Sequence, residues 1–534
     1  MEKWYKDAVF YEIDPRTFYD ANGDGIGDLQ GIIAKLEHIK RLGVDCIWLL
    51  PIFPSPLLDG GYDIEDYYGI HPHLGTLDDL RALIDAVHAK GMRLILDLVV
   101  NHTSDQCQWF KEAEADKHSP YRDYYVWSDT DEKYAETRII FIDTEDSNWA
   151  WSEKAQQYYW HRFYSSQPDL NYDNPAVREE MKQIMRYWLD MGIDGFRADA
   201  VPYLFERAGT NCENLPETHA YLKEMRAMVD AEYPGRILLA EANQWPKDLM
   251  PYLADGDEFH MAFQFPVMPR IFKAVAVGSN APLIEILKDI PKIPEDCQWC
   301  IFLRNHDELT LEMVSEEDRQ FMWDFYAPEA RMRLNQGIRR RLAPLMGGDA
   351  RKIELLYALL LSLPGAPIIY YGDEIGMGDN IWLNDRDGVR TPMQWTDGKN
   401  AGFSSADADM LYHPVIDEGA FSYMQVNVEK AAQNADSLFN RLRELVDVRK
   451  AHAVFSGQDY KLLLKEQTAV FAIERNDGIK TVTCLHNLSD TEQSVMVEEG
   501  YQYLHGSAGE EAGKATGQAP IALQPYGYVW LTKE

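Results

Sequence analysis

Cysteine is scarce in this chain of 534 residues, with six in all and no second pair to complete a zinc site. Cys297 and Cys300 form a C-x-x-C, but they fall in the apolar run QWCIFL, which favours a buried strand over a redox motif. No apolar run approaches the roughly 18 residues that suggest a membrane span. The N-terminus lacks the basic start and apolar core of a signal peptide, so we expect a cytoplasmic protein without a membrane partner.

Basic residues are also in deficit, with 52 Lys and Arg against 87 Asp and Glu and a net charge of −35. A negative surface repels nucleic acids and anionic membranes, so neither is expected as a partner. The acidic excess by itself indicates no function, since such surfaces commonly serve solubility. The length suits one large domain plus a smaller one and leaves the oligomeric state open, a homo-oligomer included.

Short β-rich apolar runs alternate with amphipathic helical stretches along most of the chain. The predicted strands are residues 8–13, 46–52, 93–100, 195–201, 237–242, 259–265, 299–305 and 366–372. Helical periodicity appears, for example, at residues 77–91, 178–192 and 351–365, and a last helix is predicted at 436–450. Apolar strands separated by helices require a parallel sheet covered by helices, and eight such units favour a closed barrel. The expected fold is therefore an α/β (β/α)8 TIM barrel.

The chain divides into unequal parts under this interpretation. Residues 1–100 and 173–452 form the predicted catalytic barrel. The gap after the third strand is too long for one crossover and is rich in Tyr, Trp, Asp and Ser, so residues 101–172 are predicted to form an inserted lobe over the barrel mouth. From residue 453 to 534 the pattern changes to alternating strands, which predicts a C-terminal antiparallel β-sandwich domain.

Polar residues gather where the predicted barrel strands end. In parallel barrels these strand ends meet at one mouth, whereas polar groups within the core would be unfavourable. Four of the eight predicted strands deliver such residues: Asn101 and His102, Arg197 and Asp199, Glu241, and Asn305, His306 and Asp307. This convergence is the main functional signal.

Two of these carboxylates suit the cleavage of a glycosidic bond. Arg197 and Asp199 lie two positions apart in a strand and share a face, so the guanidinium should keep Asp199 ionised as a nucleophile. Glu241 follows the apolar run ILLA, which should raise its pKa and suit it to protonate a leaving oxygen. The alternative for any one of these residues is a structural ion pair at the barrel rim.

Four ordered segments resemble the signature segments of the α-amylase family: DLVVNH (97–102), GFRADAV (195–201), AE (240–241) and FLRNHDE (302–308). The resemblance implies that Asp199 is the nucleophile, Glu241 the acid/base, and Asp307 the carboxylate that grips sugar hydroxyls. It implies further sugar contacts in the cleaving subsite from His102, Arg197 and His306, with Tyr62 as a stacking residue and Asp63 beside it. Arg390 would pair with Asp63 and close that subsite.

The loop D-x-N-x-D-G-x-G-D has alternating oxygen ligands and tight-turn glycines, a calcium-type pattern whose alternative is an ordinary Asp/Gly turn. By resemblance to the family, calcium would bind here through Asp20, Asn22, Asp24, the Ile26 carbonyl and Asp28. A second site between lobe and barrel would use Asn101, Asp169, the Tyr203 and Leu204 carbonyls, and Glu206. Both would be structural, and no organic cofactor is expected.

Several flanking stretches are similar to the maltose-to-trehalose isomerases of the α-amylase family, namely residues 202–219, 241–248, 260–272, 305–314 and 384–395. This resemblance implies intramolecular transfer of a glucosyl unit through a covalent enzyme intermediate, with maltose and trehalose as substrates and minor hydrolysis to glucose. An exo-acting α-glucosidase of the same family would carry the same acids and remains an alternative. A non-catalytic carbohydrate-binding barrel is the remote one.

Overall fold

Eight parallel strands close into a barrel at the centre of the structure, a computed structural model that describes residues 3–464, 466, 468–507 and 520–533. The barrel strands are β1 Phe10–Ile13, β2 Cys46–Leu49, β3 Arg93–Val99, β4 Gly195–Asp199, β5 Ile237–Ala240, β6 Met261–Phe263, β7 Gln298–Phe302 and β8 Ala366–Tyr370. Each strand pairs with its sequence neighbours, and β1 closes the ring against β8. The predicted (β/α)8 barrel is confirmed.

Fourteen α-helices lie among the described residues, and most of them cover the barrel from outside. They are α1 Pro15–Phe18, α2 Leu29–Arg41, α3 Leu77–Ala89, α4 Gln108–Ala115, α5 Pro175–Met191, α6 Pro216–Glu232, α7 Pro246–Leu249, α8 Val267–Val277, α9 Ala281–Asp289, α10 Glu316–Tyr326, α11 Leu342–Leu345, α12 Ala350–Ser362, α13 Val428–Gln433 and α14 Leu438–Lys450. Helix α3 shows why they form: Thr76 and Asp79 make a reciprocal capping box, and Leu80, Leu83 and Val87 are buried on one face. The helices predicted at 77–91, 178–192, 351–365 and 436–450 are confirmed as α3, α5, α12 and α14.

The predicted lobe between β3 and β4 is present. It contains α4 and a three-stranded antiparallel sheet in the order Trp127–Ser128, Gln157–Trp160, Trp149–Ser152. Aromatic packing holds this small sheet together, with the Trp149 and Trp160 rings 5.0 Å apart. Isolated β-bridges join the ends of the lobe, including one between His102 and Asp169. The lobe is thereby anchored beside the mouth of the barrel.

Two further insertions at the mouth were not predicted. After β7 a small antiparallel sheet, Leu309–Thr310, Gly337–Ile338 and Arg333–Leu334, precedes α11. After β8 a long segment of turns and short 3-10 helices runs to α13. Arg339 in the first insertion donates to the carbonyls of Leu383 (2.8 Å) and Asp385 (2.7 Å) in the second. The two insertions therefore support one another.

The C-terminal part forms an antiparallel β domain, as expected. Its five-stranded sheet has the order Tyr460–Leu463, Val470–Asn476, Thr481–Asn487, Tyr528–Lys533, Gln502–Gly506, and Gln493–Val495 pairs with Ile521–Leu523. Buried Arg475 donates to the Ser362 carbonyl at the end of α12, at 2.9 Å. A cation suits a helix C-terminus, so this contact fastens the domain to the barrel.

All six cysteines are buried and free of disulfides. Burial raises the pKa of the Cys297 thiol to about 11 and also raises that of Cys300, so neither is poised as a thiolate at neutral pH. Among the described residues, no helix has the length and apolar character needed to cross a bilayer.

Candidate active site

A cavity lies at the carboxyl ends of the barrel strands, under the inserted lobe. It is lined by Asp59, Tyr62, His102, Ile140, Phe141, Phe163, Asp199, Ala200, Tyr203, Glu241, Asn243, Phe265, Asn305, His306, Asp307, Glu308, Thr310, Glu312 and Arg386. Six of the residues predicted from the sequence are therefore brought together: Tyr62, His102, Asp199, Glu241, His306 and Asp307. Arg197 is not part of the cavity lining, but it contacts Asp199 and Glu241, which are.

Arg197 is buried in strand β4 and contacts three carboxyl groups, those of Asp97, Asp199 and Glu241. Its Nη1 lies 2.6 Å from an oxygen of Asp97 and also contacts Asp199, while Nη2 contacts Glu241. Arg197 and Asp199 share a face because they lie two residues apart in β4. The backbone N–H of Ala200 donates to Glu241 at 3.1 Å, which fixes that carboxyl group beside Asp199.

The two catalytic candidates have different proton affinities. Burial raises the pKa of Asp199 to about 6 against the opposing effect of Arg197. Burial raises the pKa of Glu241 further, to about 8, because negative Asp199 and Asp307 add to it while Arg197 lowers it. At neutral pH the favoured state is an ionised Asp199 beside a protonated Glu241, as a nucleophile and a general acid require.

The pKa of Asp307 is shifted in the opposite direction, downwards. Burial alone would raise its pKa, but His306, Arg386 and Arg390 together lower it well below the ordinary aspartate value. Arg386 Nε and Arg390 Nη2 lie 3.1 and 3.2 Å from one Asp307 oxygen. Asp307 therefore stays a carboxylate and can accept hydrogen bonds from sugar hydroxyls.

Tyr62 and His102 face the cavity from two other elements. The Tyr62 ring stacks on His306, with centroids 5.3 Å apart and planes 9° apart, and its hydroxyl donates to Asp97 at 3.1 Å. Burial lowers the pKa of His102 to about 3, so its ring is neutral. The His102 Nε2 atom is buried and has no hydrogen-bond partner among the described residues, which leaves it free for a ligand hydroxyl.

The predicted pair of Asp63 and Arg390 is wrong. Among the described residues, Asp63 accepts only within its own loop, from Ser55 Oγ at 2.8 Å and from the backbone N–H groups of Leu58 and Asp59. Arg390 instead donates to the His306 carbonyl at 2.9 Å and supports Asp307. Arg390 passes close under Gly60, where a Cβ would lie 2.3 Å from its Nη1.

Asp59 and Arg386 take the places expected of Asp63 and Arg390 at the cavity wall. Their carboxylate and guanidinium lie 3.8 Å apart, and Arg386 also contacts Glu308 at 2.8 Å. Both residues sit on loops without periodic structure, so no sequence pattern marked them. Asp97 was also missed, although a charged residue inside the apolar strand RLILDLV was a visible signal.

The second predicted calcium site has unsatisfied oxygens that fit a cation. Asn101 Oδ1, Asp169 Oδ2 and Glu206 Oε1 are buried without hydrogen-bond partners among the described residues. Burial raises the pKa of Asp169 to about 8, and burial together with Asp169 raises the pKa of Glu206. Tyr203 and Leu204, whose carbonyls complete the predicted set, lie at the end of the 3-10 helix Val201–Tyr203. Hard oxygen donors in a buried acidic pair suit calcium.

The first predicted calcium loop is satisfied by its own backbone. Asp20 accepts from the N–H groups of Gly23 and Gly25, and Asp28 accepts from those of Ala21 and Asn22. The side-chain oxygens of Asn22 and Asp24 accept from the N–H groups of Asp24 and Ile26. At neither predicted set, nor elsewhere within the described ranges, do three or more His, Cys, Asp or Glu side chains converge on a metal position, so the preference between the two sets rests on their unsatisfied oxygens. This loop therefore fits a cation less well than the second set does.

The comparisons with known proteins agree with this geometry. The family model "Alpha amylase, catalytic domain" matches residues 12–323 and 329–457, and that of the "D-apionate lactonase, C-terminal immunoglobulin-like domain" matches residues 466–531. The chain is 54% identical to the trehalose synthase/amylase of Mycolicibacterium smegmatis, over 99% of this chain and 92% of the relative. This chain belongs to the trehalose synthases of the α-amylase family.

More distant relatives share the barrel. An oligo-1,6-glucosidase of Parageobacillus thermoglucosidasius is 32% identical over 92% of this chain and 91% of its own. The crystal structure of a trehalulose synthase from Pseudomonas mesoacidophila superposes with a TM-score of 0.82 at 28% identity, covering 99% of each chain. Membership of the trehalose synthases therefore rests on the higher identity, since hydrolases and other isomerases share the fold.

The pH dependence of turnover should show two limbs. A nucleophile with a pKa of about 6 loses its charge as the pH falls, and an acid with a pKa of about 8 loses its proton as the pH rises. We therefore expect kcat/KM for maltose to fall below about pH 6 and above about pH 8. Because Asp199 and Glu241 interact, the two apparent pKa values of the profile describe the pair and not the single residues. A steady-state profile measures this, and a flat one between about pH 5 and 9 would contradict it.

If the second set holds calcium, as the sequence predicts, removal of the ion should destabilise the fold. A cation there neutralises Asp169 and Glu206, so chelation should lower Tm by about 5 °C and added calcium should restore it. The Asp169→Asn variant should lose this response and the Asp24→Asn variant should keep it, as measured by thermal unfolding and metal content. An unchanged Tm with no bound metal would show that the site holds no calcium.

Proposed function

We propose that this chain isomerises maltose to trehalose by intramolecular transfer of a glucosyl unit, with minor hydrolysis to glucose. The acids alone do not distinguish this activity from hydrolysis, because both begin with the same displacement. The observation that carries the proposal is the pair of ion pairs that Arg138 of the lobe forms with Glu213 and with Glu312, the latter a residue of the cavity lining. It accompanies the 54% identity to a trehalose synthase.

The first step breaks the glycosidic bond of maltose. The Asp199 carboxylate attacks the anomeric carbon of the non-reducing glucose, and Glu241 gives its proton to the departing oxygen. Arg197 holds both carboxyl groups next to each other, and Asp307 and His306 grip the hydroxyls of the transferred unit. The products of this step are a glucosyl ester on Asp199 and a free glucose.

The second step uses the same groups in reverse. The released glucose turns within the cavity and presents its anomeric hydroxyl to the ester. Glu241, now a carboxylate, takes the proton of that hydroxyl while the oxygen bonds to the glucosyl carbon and Asp199 departs. Two inversions retain the α configuration and give the α,α-1,1 linkage of trehalose. Water competes for the same ester and gives two molecules of glucose.

Whether the released glucose stays in the cavity therefore decides the product. We infer that Arg138 helps to keep it there. Its guanidinium reaches from the lobe to Glu213 at 2.8 Å and to Glu312 at 2.6 Å, with Tyr203 Oη at 3.4 Å. Tyr203 and Glu312 line the cavity. Arg162 also donates to Glu213, at 3.0 Å, so the barrel side of the contact is itself fixed.

The same contact must open for substrate exchange. The Arg138 side chain keeps about a third of its surface exposed, at 36%. Glu213 is buried, with 5% of its side chain exposed, whereas Glu312 keeps 19%. We infer that the pair with Glu312 breaks and re-forms in each cycle, because ion pairs with more solvent access are weaker. It excludes water while closed and admits maltose when open.

The cavity wall at Asp59 and Arg386 supports a disaccharide substrate. Arg386 links Asp59, Asp307 and Glu308 around one end of the cavity and packs on Phe141, 4.7 Å from its ring centre. This end has room for the non-reducing glucose and blocks a longer chain, which supports maltose over the interior of starch.

The remaining expectations are also proposals. Calcium, held by Asn101, Asp169, Glu206 and the Tyr203 and Leu204 carbonyls, would tie the lobe to the barrel without entering the reaction, and the Asp20–Asp28 loop is a weaker second candidate. A cytoplasmic location and independence from nucleic acids and membranes are further proposals, and the acidic composition supports the absence of nucleic acid and anionic membrane partners. Self-association into a homo-oligomer stays open.

Product analysis with maltose tests the proposal. We expect mostly trehalose with a minor share of glucose, and no incorporation of added labelled glucose, because the intermediate is retained. The Arg138→Ala variant should raise the share of glucose about fivefold or more, since water then reaches the ester. Chromatography of the products measures both quantities.

A matched control is Arg331→Ala, which removes a rim arginine stacked on exposed Trp382 at 3.8 Å, away from the cavity lining. It should leave the product ratio unchanged. Glucose as the sole product of the wild-type chain would establish the α-glucosidase alternative, and absence of any turnover would favour the non-catalytic one.

A further inference from the structure

Glu12 is an ionisable residue in the barrel interior, and the proposed reaction does not use it. It lies in β1 between apolar neighbours and is 0% exposed. Among the described residues, neither Lys nor Arg forms an ion pair with it. A buried carboxyl group without a cationic partner is unfavourable, so its presence calls for a compensating role.

Among the described residues, the Glu12 side chain makes hydrogen bonds to His306 alone. One oxygen, Oε1, lies 2.6 Å from the ring nitrogen Nδ1 and accepts the His306 backbone N–H at 3.2 Å. The other oxygen, Oε2, is buried and has no hydrogen-bond partner in the part of the chain that the structure describes. Oε1 and Nδ1 are therefore close enough to share one hydrogen, which the carboxyl group can donate to the ring nitrogen.

The opposite edge of the same ring faces the substrate side. Nε2 of His306 lies 3.2 Å from an Asp307 oxygen, and the ring lines the cavity. The faces of the ring are held by Tyr62, stacked at 5.3 Å, and by Trp48, edge-on at 5.7 Å. These aromatic contacts fix the plane of the ring, but they are the same after a 180° flip that exchanges its nitrogen and carbon positions.

Glu12 is the neighbour that distinguishes the two ring orientations. We propose that Glu12 is a positioning residue for glucosyl transfer, holding the His306 ring so that Nε2 meets Asp307 and the transferred glucose. The role rests on the proposed function, because it requires His306 to contact the sugar. A flipped ring would present carbon to Asp307 and the substrate and would lose that hydrogen bond.

The charged groups around the His306 ring, together with burial, determine which atoms of His306 and Glu12 carry a proton. Burial lowers the pKa of His306, Asp307 raises it, and Arg390, Arg197 and Arg386 lower it further. Burial also raises the pKa of Glu12. These directions favour a protonated Glu12 that donates to Nδ1 and a neutral ring whose Nε2–H donates to the Asp307 carboxylate.

A double-mutant cycle tests the proposal. Glu12→Leu removes both contacts to His306 and should lower kcat/KM for maltose about a hundredfold, whereas Glu12→Gln keeps an acceptor oxygen and should recover much of this loss. In the His306→Ala background, Glu12→Leu should cause no further loss, because Glu12 acts through that ring. If the leucine variant does not fold, Glu12→Ala carries the same cycle, because it also removes both contacts to His306.

Glu374 supplies the matched control. It is also 0% exposed and lies 2.8 Å from a histidine, His38, but it does not line the cavity. Glu374→Leu should lower Tm and leave kcat/KM within about twofold of wild type.

Three results would overturn the inference: additive losses in the His306→Ala background, equal activity losses for Glu12→Leu and Glu374→Leu, or near wild-type kcat/KM in Glu12→Leu. Failure of the proposed function is a separate result, since the wild-type chain would then make no trehalose.

Discussion

Arg197 is surrounded by carboxyl groups at the bottom of the active-site cavity, where almost no solvent reaches it. Asp97, Asp199 and Glu241 all contact its guanidinium. Taking a carboxylate out of water is strongly unfavourable unless a cation and hydrogen bonds compensate it. Burial raises the pKa of all three acids, and Arg197 lowers each of them. Without this cation the acids would be protonated at neutral pH and no nucleophile would remain.

The shared cation also explains why two neighbouring carboxyl groups can have different roles. Burial acts on Asp199 and Glu241 alike, yet the pKa of Glu241 rises further because Asp199 and Asp307 both face it. Asp307 remains ionised because Arg386, Arg390 and His306 surround it. One protonated acid between two carboxylates is the arrangement that retaining glycosyl transfer needs.

The barrel and its loops contribute different parts of the function. Strand ends hold the acids rigidly, so the capacity to form a glucosyl ester belongs to the barrel. Under the proposed function, the fate of that ester depends on the loops, and above all on Arg138 in the lobe and its partners Glu213 and Glu312. Since the barrel is shared with hydrolases, the difference between isomerase and hydrolase lies at the mouth.

The parts of this site that follow from the sequence are those tied to regular structure. Asp199 and Glu241 could be placed because β-strand periodicity and parallel topology bring strand ends together. Asp59 and Arg386 could not be placed, because irregular loops carry no periodic signal, and Asp63 was chosen in place of Asp59 on local resemblance alone. Arg138 lies in the inserted lobe, and its partners are 75 and 174 residues away along the chain.

Glu12 illustrates a signal that was present but not used. A glutamate within an apolar barrel strand stands out in the sequence, as does Asp97 in the strand two along. The sequence does not tell which group faces it, because the contact with His306 spans 294 residues. Only the closed barrel brings β1 next to the loop that follows β7.

Trapping of the covalent intermediate tests the central claim most directly. A 5-fluoro-α-glucosyl fluoride should react quickly and release slowly, because the fluorine withdraws charge from the developing cation. Mass spectrometry of the digested protein should then find one sugar on the peptide that contains Asp199, and none on that peptide in the Asp199→Asn variant. A sugar attached to another residue, or an enzyme that turns over maltose with no trapped adduct at Asp199, would contradict the account.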